Sequence, residues 1–324
     1  MSHLLQRPNT CIVLAFALVS FAVVTRNPVW TDTWVILGVY TLIALSTGIS
    51  YGQAGILSMS QGAFAAIGGY LAAVCGLRFK LPPGVDLILA MVLPALLAYG
   101  LARVVTKLSP LATALATLAL GTIVEIVLRN WDGVTGGYIG LAGIPSIGPI
   151  DTPVEYCALV WFMIFVTVLL YENVVRSPYG RALNVIRHNR LRAEADGVDV
   201  PRLLSAAFAF SAAVAGSADW LYAHYISFIS PSSLDTHMSI SALLMAVIGG
   251  SGYILGPLVG TVFFDILVRL LPAQELQGLF YGGALILILV LAREGVLGLA
   301  ARLLRTLKSA RTPAAPSLLR GAAR

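Results

Sequence analysis

The chain has 324 residues, of which 58% are apolar and only 11% are charged, and its net charge is +6. Soluble proteins carry about 25% charged residues, so this composition excludes a water-soluble globular protein and predicts an integral membrane protein without a second, soluble domain. The three cysteines lie in apolar runs at unrelated spacings and predict neither a disulfide framework nor a metal site: Cys11, Cys75 and Cys157.

Apolar runs follow one another along the chain at 11–24, 34–49, 62–77, 87–105, 111–128, 157–171, 203–226, 239–250, 257–271 and 279–292. Because a membrane helix needs about 20 mostly apolar residues, they predict an all-α polytopic membrane protein with about 8–10 transmembrane helices. The first run could be a signal peptide with Arg7 as its charged start. We instead interpret residues 1–34 as an N-terminal segment that keeps its first transmembrane helix, followed by a transmembrane domain over 35–298.

The distribution of arginine predicts how these helices are oriented. Residues 172–202, here called the arginine segment, hold six arginines, and the tail after Leu291 holds six more and one lysine. Basic residues concentrate in cytoplasmic loops, and four apolar runs separate the two regions, so both are expected in the cytoplasm. The six runs before the arginine segment place the N-terminus there too. Residues 299–324 are then a basic cytoplasmic tail, and the 129–156 loop faces the periplasm.

Two stretches are too rich in glycine for simple membrane helices. Residues 48–70 read GISYGQAGILSMSQGAFAAIGGY, and residues 249–255 read GGSGYIL. Irregular backbone at membrane depth survives only inside protein or beside a watery cavity, and discontinuous helices in matching halves of a transporter mark its solute site. We expect two pseudo-repeated halves and a translocation path along Gly52, Gln53, Gly55, Ser58, Ser60, Gln61, Gly249, Gly250 and Gly252. The alternative is that these residues only hold helices together.

The arginine segment contains signals for two short helices. Ser177 followed by Pro178 is a helix start, Asn189 can cap a second helix, and Gly197 suits its end. We expect the pair to dock into a cytosolic partner through three apolar side chains, Tyr179, Leu183 and Ile186. The alternative is that the pair lies on anionic lipid headgroups.

Motifs for nucleotide hydrolysis and metal binding are absent from the sequence. None of the three lysines lies in a glycine-rich phosphate loop, and there is no His-Glu-x-x-His or paired Cys-x-x-Cys motif. We therefore predict no enzyme activity, no cofactor and no metal in this chain. Glu125 with Arg129 and Asp265 with Arg269 are spaced to form ion pairs on one helix face.

Six motifs occur in order along the chain: GQAGILSMSQGAFAAIGGY (52–70), TGGYIGLAGIP (135–145), SPYGRALNVIRHN (177–189), AEADGV (193–198), LYAHYISFISP (221–231) and MAVIGGSGYILGPLVGT (245–261). Together they resemble the LivM-like permease subunits of ABC importers for branched-chain amino acids. The resemblance covers residues 35 to about 298. It implies a type II-like ABC importer permease in a bacterial inner (cytoplasmic) membrane.

The resemblance also implies the partners of the chain. These are a paralogous permease subunit that forms a heterodimer with it, two cytosolic ABC ATPase subunits, a periplasmic solute-binding protein and the lipid bilayer, but no nucleic acid. The arginine segment would be the segment that couples to the ATPase, through Ser177, Pro178, Tyr179, Gly180, Arg181, Ala182, Ile186, Arg187, Glu194, Ala195 and Gly197. The binding protein would deliver the solute near Thr135, Gly136, Gly137 and Tyr138.

The chain departs from the family pattern at two places. Residues 217–220 read Ser-Ala-Asp-Trp, where small apolar residues are usual, and Gln61 stands where histidine is common. The solute therefore stays open among branched-chain amino acids, urea, short amides and aromatic acids. The alternative function is an ion-coupled secondary transporter of a small polar solute, which would need charges near the bilayer midplane, with Asp219 as its candidate.

Overall fold

The computed structural model describes residues 8–26, 30–148, 150, 152–234, 236–270, 283, 295–299 and 302. The first helices are α1 (Pro8–Arg26), α2 (Thr31–Thr47) with a π-helical turn after it (Gly48–Gln53), α3 (Gln61–Val74) with another (Cys75–Phe79), α4 (Pro83–Val105), α5 (Pro110–Asn130) and α6 (Asp132–Thr135). They are followed by α7 (Pro153–Arg176), α8 (Pro178–His188), α9 (Arg190–Ala195), α10 (Val200–Ile226), α11 (Thr236–Gly249) and α12 (Gly256–Leu270).

Within the described residues, six helices are long and apolar enough to cross a membrane: Thr31–Gln53, Gln61–Phe79, Pro83–Val105, Pro110–Asn130, Pro153–Arg176 and Val200–Ile226. Shorter apolar helices accompany them at Asn9–Phe21 and in α11 and α12. The prediction of an all-α polytopic membrane protein is therefore confirmed. The two pseudo-repeated halves stay a prediction. Arg7, the run at 279–292 apart from residue 283, and the tail at 299–324 apart from residues 299 and 302 lie outside the described residues.

Several of these helices begin with the same local signal, a capping side chain followed by proline. The hydroxyl of Ser109 accepts a bond from the backbone N–H of Ala112, and Thr152 forms a capping box with Glu155. Proline at the first helical positions has no N–H to leave unpaired, and its fixed φ suits the first turn. These helices therefore start sharply at the proline.

The centre of the bundle is α10, which packs most extensively against α3 and α4 and also against α2. Small residues allow the backbones to touch: a Cβ on Gly68 would overlap Gly216, and one on Gly216 would overlap the carbonyl oxygen of Ala90. Close backbone approach of this kind is how membrane helices gain packing energy where lipid is as apolar as the protein. The rings of Phe64 and Phe208 fill the next level, with centroids 5.4 Å apart.

The first helix, α1, packs against α7 through a buried polar contact. The backbone N–H of Thr10 donates to Glu172 Oε2 over 3.2 Å and its hydroxyl donates to the same oxygen over 2.5 Å. Arg176 lies 2.7 Å from the other oxygen of Glu172. Because an unpaired charge at this depth would be costly, these contacts fix the depth of α1 beside α7. Cleavage of the first run stays untested.

A two-stranded antiparallel sheet ties the 129–156 loop to the end of α10. Strand β1 (Leu141–Ala142) pairs with β2 (Phe228–Ile229), and Leu141 lies opposite Ile229. Next to it, Nδ1 of His224 lies 2.7 Å from the carbonyl oxygen of Pro145. The loop is therefore held against the bundle along two connections.

Candidate functional site

The arginine segment folds as the sequence predicts, into two short capped helices. The hydroxyl of Ser177 accepts from the N–H of Gly180 at the start of α8, and the Asn189 side chain accepts from the N–H of Arg192 at the start of α9. Gly197 follows α9 with φ +81°, a left-handed conformation in which glycine is not strained. The flanking residues 172–176 and 200–202 belong to α7 and α10, so the segment outside the long helices is shorter than predicted.

One face of α8 is buried against the bundle, and this corrects part of the prediction. Leu183 and Ile186 are only 3% and 6% exposed, so they are not available to enter a partner. Gly180 is also buried, and a Cβ there would overlap the backbone at the end of α7. Tyr179 is 68% exposed, so of the three predicted partner-binding side chains it alone faces outward.

The exposed face of the two short helices carries the remaining predicted residues. Pro178, Tyr179, Arg181, Glu194, Ala195 and Gly197 are exposed, and Ala182 and Ser177 are partly buried. Leu191 adds an apolar side chain that is 79% exposed and that the sequence analysis missed. The sequence does contain a signal for this exposed leucine, because Leu191 stands between two arginines at the start of a capped helix. The exposed face therefore carries mixed charge and two exposed apolar side chains, Tyr179 and Leu191.

Two arginines connect this surface to the membrane helices. The Arg187 guanidinium donates to the carbonyl oxygen of Gly52, and Gly55, with φ +69°, packs against the stem of the same side chain. Arg190 donates to the carbonyl oxygen of Thr106 over 2.6 Å. These carbonyls stand where helices end, so they lack helical partners. Arg187 and Arg190 therefore join the two short helices to the ends of the membrane helices, and Arg187 does so at the first glycine-rich break.

The two glycine-rich breaks lie in direct contact. A Cβ on Gly52 would overlap the carbonyl oxygen of Ser251, and one on Gly48 would overlap the ring of Pro257. The Tyr171 hydroxyl donates to the Gly48 carbonyl over 3.1 Å. Gly250, with φ +110°, turns the chain between α11 and α12. Sequence spacing indicated two breaks, and the fold places the turn between α11 and α12 against the π-helical turn that ends α2.

The candidate path residues after the first break make hydrogen bonds within the protein. Gln61 is fully buried, accepts from Ser46 over 3.1 Å, and donates to Ser50 over 3.2 Å and Ser211 over 3.0 Å. The hydroxyls of Ser58 and Ser60 lie 2.9 Å apart. In this conformation these groups hold α2, α3 and α10 together.

A nucleophile motif coincides with the first break. Residues 48–52 have the Gly-x-Ser-x-Gly spacing of the strained turn that exposes a catalytic serine in some hydrolases. Here Ser50 is buried in a π-helical turn and binds Gln61. The motif therefore lacks the strand-to-helix turn that the chemistry requires.

The 129–156 loop presents a compact glycine turn. The Thr135 hydroxyl donates to the carbonyl of Leu128 over 2.6 Å and accepts from the N–H of Gly137. Gly136 and Gly137 both have positive φ, which any other residue would adopt only with strain. Tyr138 follows, 71% exposed, with Arg129 over its ring at 5.3 Å. The turn thus projects an aromatic side chain from the bundle.

Among the described residues, two predicted ion pairs form and one buried carboxylate has no hydrogen-bond partner. The predicted ion pairs Glu125–Arg129 and Asp265–Arg269 form, at 2.5 Å and 2.8 Å. Within the described residues, no group of three histidine, cysteine, aspartate or glutamate side chains could hold a metal ion. Asp219 is fully buried, and among those same residues its oxygens have no hydrogen-bond partner.

Comparison with known proteins finds one matching family and several similar membrane proteins. The family described as "Branched-chain amino acid transport system / permease component" matches residues 31–289. The chain is 26% identical over 287 residues to the high-affinity branched-chain amino acid transport system permease protein LivM of Salmonella typhimurium, covering 80% of this chain and 68% of that protein. It is 25% identical over 283 residues to the corresponding LivH protein of Escherichia coli, covering 80% of this chain and 91% of that one.

A third organism contains a similar protein. The chain is 24% identical over 278 residues to the probable branched-chain amino acid transport permease protein LivM of Methanocaldococcus jannaschii, covering 74% of this chain and 80% of that protein. No solved structure matches the chain.

Proposed function

Since the chain belongs to the permease-component family of branched-chain amino acid transport systems, we propose that it is the membrane permease subunit of an ATP-driven importer. It takes up branched-chain amino acids or related small amino-acid and amide solutes that a periplasmic binding protein delivers. ATP is hydrolysed by partner subunits, because the sequence has no nucleotide-binding loop. The membrane is a bacterial inner membrane, with both termini in the cytoplasm.

The observation that carries the proposal is the seating of α8 on the two breaks. An amphipathic helix buries Leu183 and Ile186 in the bundle, and its Arg187 binds the carbonyl of Gly52, where the turn between α11 and α12 also meets α2. The opposite face, with Tyr179, stays exposed. An ATPase bound to the exposed face would move α8. Because packed interfaces shift as units rather than bend, this movement would shift both glycine-rich breaks together.

The proposed ATPase contact is the exposed face of α8 and α9. It comprises Tyr179, Arg181, Leu191, Glu194 and the turn at Gly197. Protruding apolar side chains surrounded by charge are typical of anchors at protein interfaces. Gly180 and Ile186 act from the other side, by holding α8 on the bundle.

A second permease is the natural partner inside the membrane. Helices α4 and α5 expose rows of leucine, isoleucine and valine along most of their surface, which suits lipid or another membrane subunit. The chain is similar to both the LivM and LivH proteins. Escherichia coli has both a LivM and a LivH protein, and both are similar to this chain. This supports a pair of related permeases. The solute path in this proposal runs past Gly52, Ser58 and Gly249 and includes the partner.

Co-purification from the native host tests the proposal. The chain is tagged, solubilised gently and isolated with whatever binds it. We expect a second permease and one or two cytosolic ATPases. The matched pair of variants is Leu191→Glu, which changes the exposed face, and Phe79→Glu, which changes another exposed apolar residue at the end of the π-helical turn after α3. If the ATPase is lost from Leu191→Glu but not from the control variant, the result supports the docking face. If the wild-type chain purifies without any partner, the result contradicts the importer proposal.

A further inference from the structure

An apolar groove lies beside the short helix α8. It has a volume of about 610 Å³ and is bounded by α4, α7, α8 and the first half of α10. Its walls include Val174 of α7, Leu183 of α8, and Leu203 and Phe210 of α10, together with Tyr99 of α4. Because Leu183 is one of the residues that seat α8 on the bundle, whatever fills the groove also packs against that seat.

The groove follows α10 from the start of that helix. Arg202 lines it near the helix start, and Phe210 lines it eight residues further on, which corresponds to a length of about 12 Å. Between them, Leu203 and Ala207 are only partly buried, so the groove is open at the surface of the bundle. Its α4 wall belongs to a helix with exposed leucines such as Leu96. The groove therefore has the lining and the length to take part of an acyl chain from the bilayer.

Basic side chains lie at the end of the groove where α10 begins. Arg202 is exposed there and is paired with Asp199 over 3.1 Å. Arg103 stands beside the α4 wall, with its guanidinium 5.1 Å from the centroid of the Tyr99 ring. The groove therefore has an apolar body and two arginines near one end.

The charge at this end of the groove is positive. Within the described part of the chain no ion pair includes Arg103 or Arg181, and Arg181 directly precedes Ala182 in the groove wall. Arg190 joins the end of α4 to the start of α9 through the Thr106 carbonyl, so Arg103 lies on the same side of the bundle as the arginine segment. Among the described residues that line the groove, Asp199 is the one acidic side chain.

We propose that this groove binds an anionic phospholipid, with an acyl chain along α10 between α4 and α7 and the phosphate beside Arg103 and Arg202. A guanidinium group matches a phosphate with parallel hydrogen bonds and keeps its charge at any physiological pH. Basic pockets between membrane helices on the cytoplasmic side are typical sites for anionic headgroups. A zwitterionic phospholipid fits the same apolar groove but brings an ammonium group to its basic end. The site does not depend on which solute is transported.

Lipid binding is measured by native mass spectrometry on the delipidated protein, together with whatever subunits purify with it. The probes are dioleoyl phosphatidylglycerol and dioleoyl phosphatidylcholine, which has the same chains but no net charge. Arg103→Gln removes one positive charge beside the groove. The control Lys107→Gln removes one from an exposed lysine just beyond the end of α4. Ala207→Phe fills the groove, and thermal unfolding of each variant checks that it folds.

We expect the wild type to bind phosphatidylglycerol more tightly than phosphatidylcholine. Arg103→Gln should weaken phosphatidylglycerol binding about fivefold, the effect of one basic residue near an anionic lipid, and should leave phosphatidylcholine binding unchanged. Lys107→Gln should change neither, and Ala207→Phe should weaken both. Equal losses in Arg103→Gln and Lys107→Gln, an equal loss of both lipids in Arg103→Gln, or wild-type binding by Ala207→Phe would each overturn the proposal.

Photo-crosslinking in the native membrane identifies the occupant of the groove without relying on the Ala207→Phe variant. A photoreactive benzoylphenylalanine replaces Ala206, which lines the groove and is exposed. Mass spectrometry of the adduct should show anionic phospholipid, enriched over the lipids extracted from the same membrane. An adduct with a second membrane subunit, an adduct that only follows the bulk lipid composition, or no lipid adduct would show that the groove is not an anionic lipid site.

Discussion

Replacing Gly52 with alanine should destabilise the protein, although alanine is the better helix former. A Cβ at this position overlaps the carbonyl oxygen of Ser251. The oxygen is a backbone atom and the Cβ is fixed rigidly to the backbone of residue 52, so relief requires moving the turn between α11 and α12. Overpacking of this kind costs up to about 3 kcal/mol, and alanine recovers about 1 kcal/mol of helix propensity. The net loss should be about 2 kcal/mol.

Gly252→Ala is the matched control, since it lies in the other break and a Cβ there meets nothing within 4 Å. Thermal unfolding of the purified complex in detergent measures both variants. Gly52→Ala should unfold several degrees below the wild type, and Gly252→Ala should unfold at the wild-type temperature. ATP-driven uptake should fall only in Gly52→Ala. Equal unfolding temperatures for both variants would refute the contact between the two breaks.

Three other predictions concern separate contacts. Arg187→Ala removes the bond to the Gly52 carbonyl and should lower the amount of solute taken up per ATP hydrolysed. The control Arg192→Ala, at an exposed arginine, should leave that ratio unchanged. The same ratio in both variants would contradict coupling through Arg187. Tyr138→Ala should weaken the binding protein's affinity for the complex in a pull-down titration while basal ATP hydrolysis stays unchanged; full affinity excludes this contact. Thr10→Val removes a bond to the buried Glu172 and should cost about 1.5–3 kcal/mol of stability, measured by thermal unfolding, against no change for an exposed Thr122→Val.

The membrane class, the ion pairs and the two short capped helices were predictable from the sequence. Each depends on local information: apolar run length, spacing by four residues, or a cap followed by proline. Ser177 and Asn189 cap α8 and α9 as predicted, because their signals act within one helical turn.

Long-range contacts explain what the sequence did not predict. Leu183 and Ile186 point into the bundle because Gly52 and its neighbours lie behind α8, and nothing in residues 177–189 specifies which side of the helix meets the membrane domain. The partner of Glu172 is Thr10, 162 residues away. The buried contacts of Asp86 were missed because one acidic residue after two prolines looks like an ordinary helix start. Trp220 donates to its Oδ1 over 2.8 Å, and Nε2 of His224 lies 3.3 Å from its Oδ2.

Uptake by reconstituted vesicles tests the central claim most directly. The complex that purifies with this chain is placed in proteoliposomes with its binding protein and labelled leucine. We predict accumulation that requires hydrolysable ATP, persists when ionophores remove all ion gradients, and stops when the ATPase subunits are omitted. Accumulation by this chain alone, driven by an ion gradient without ATP, would contradict the account and identify a secondary transporter.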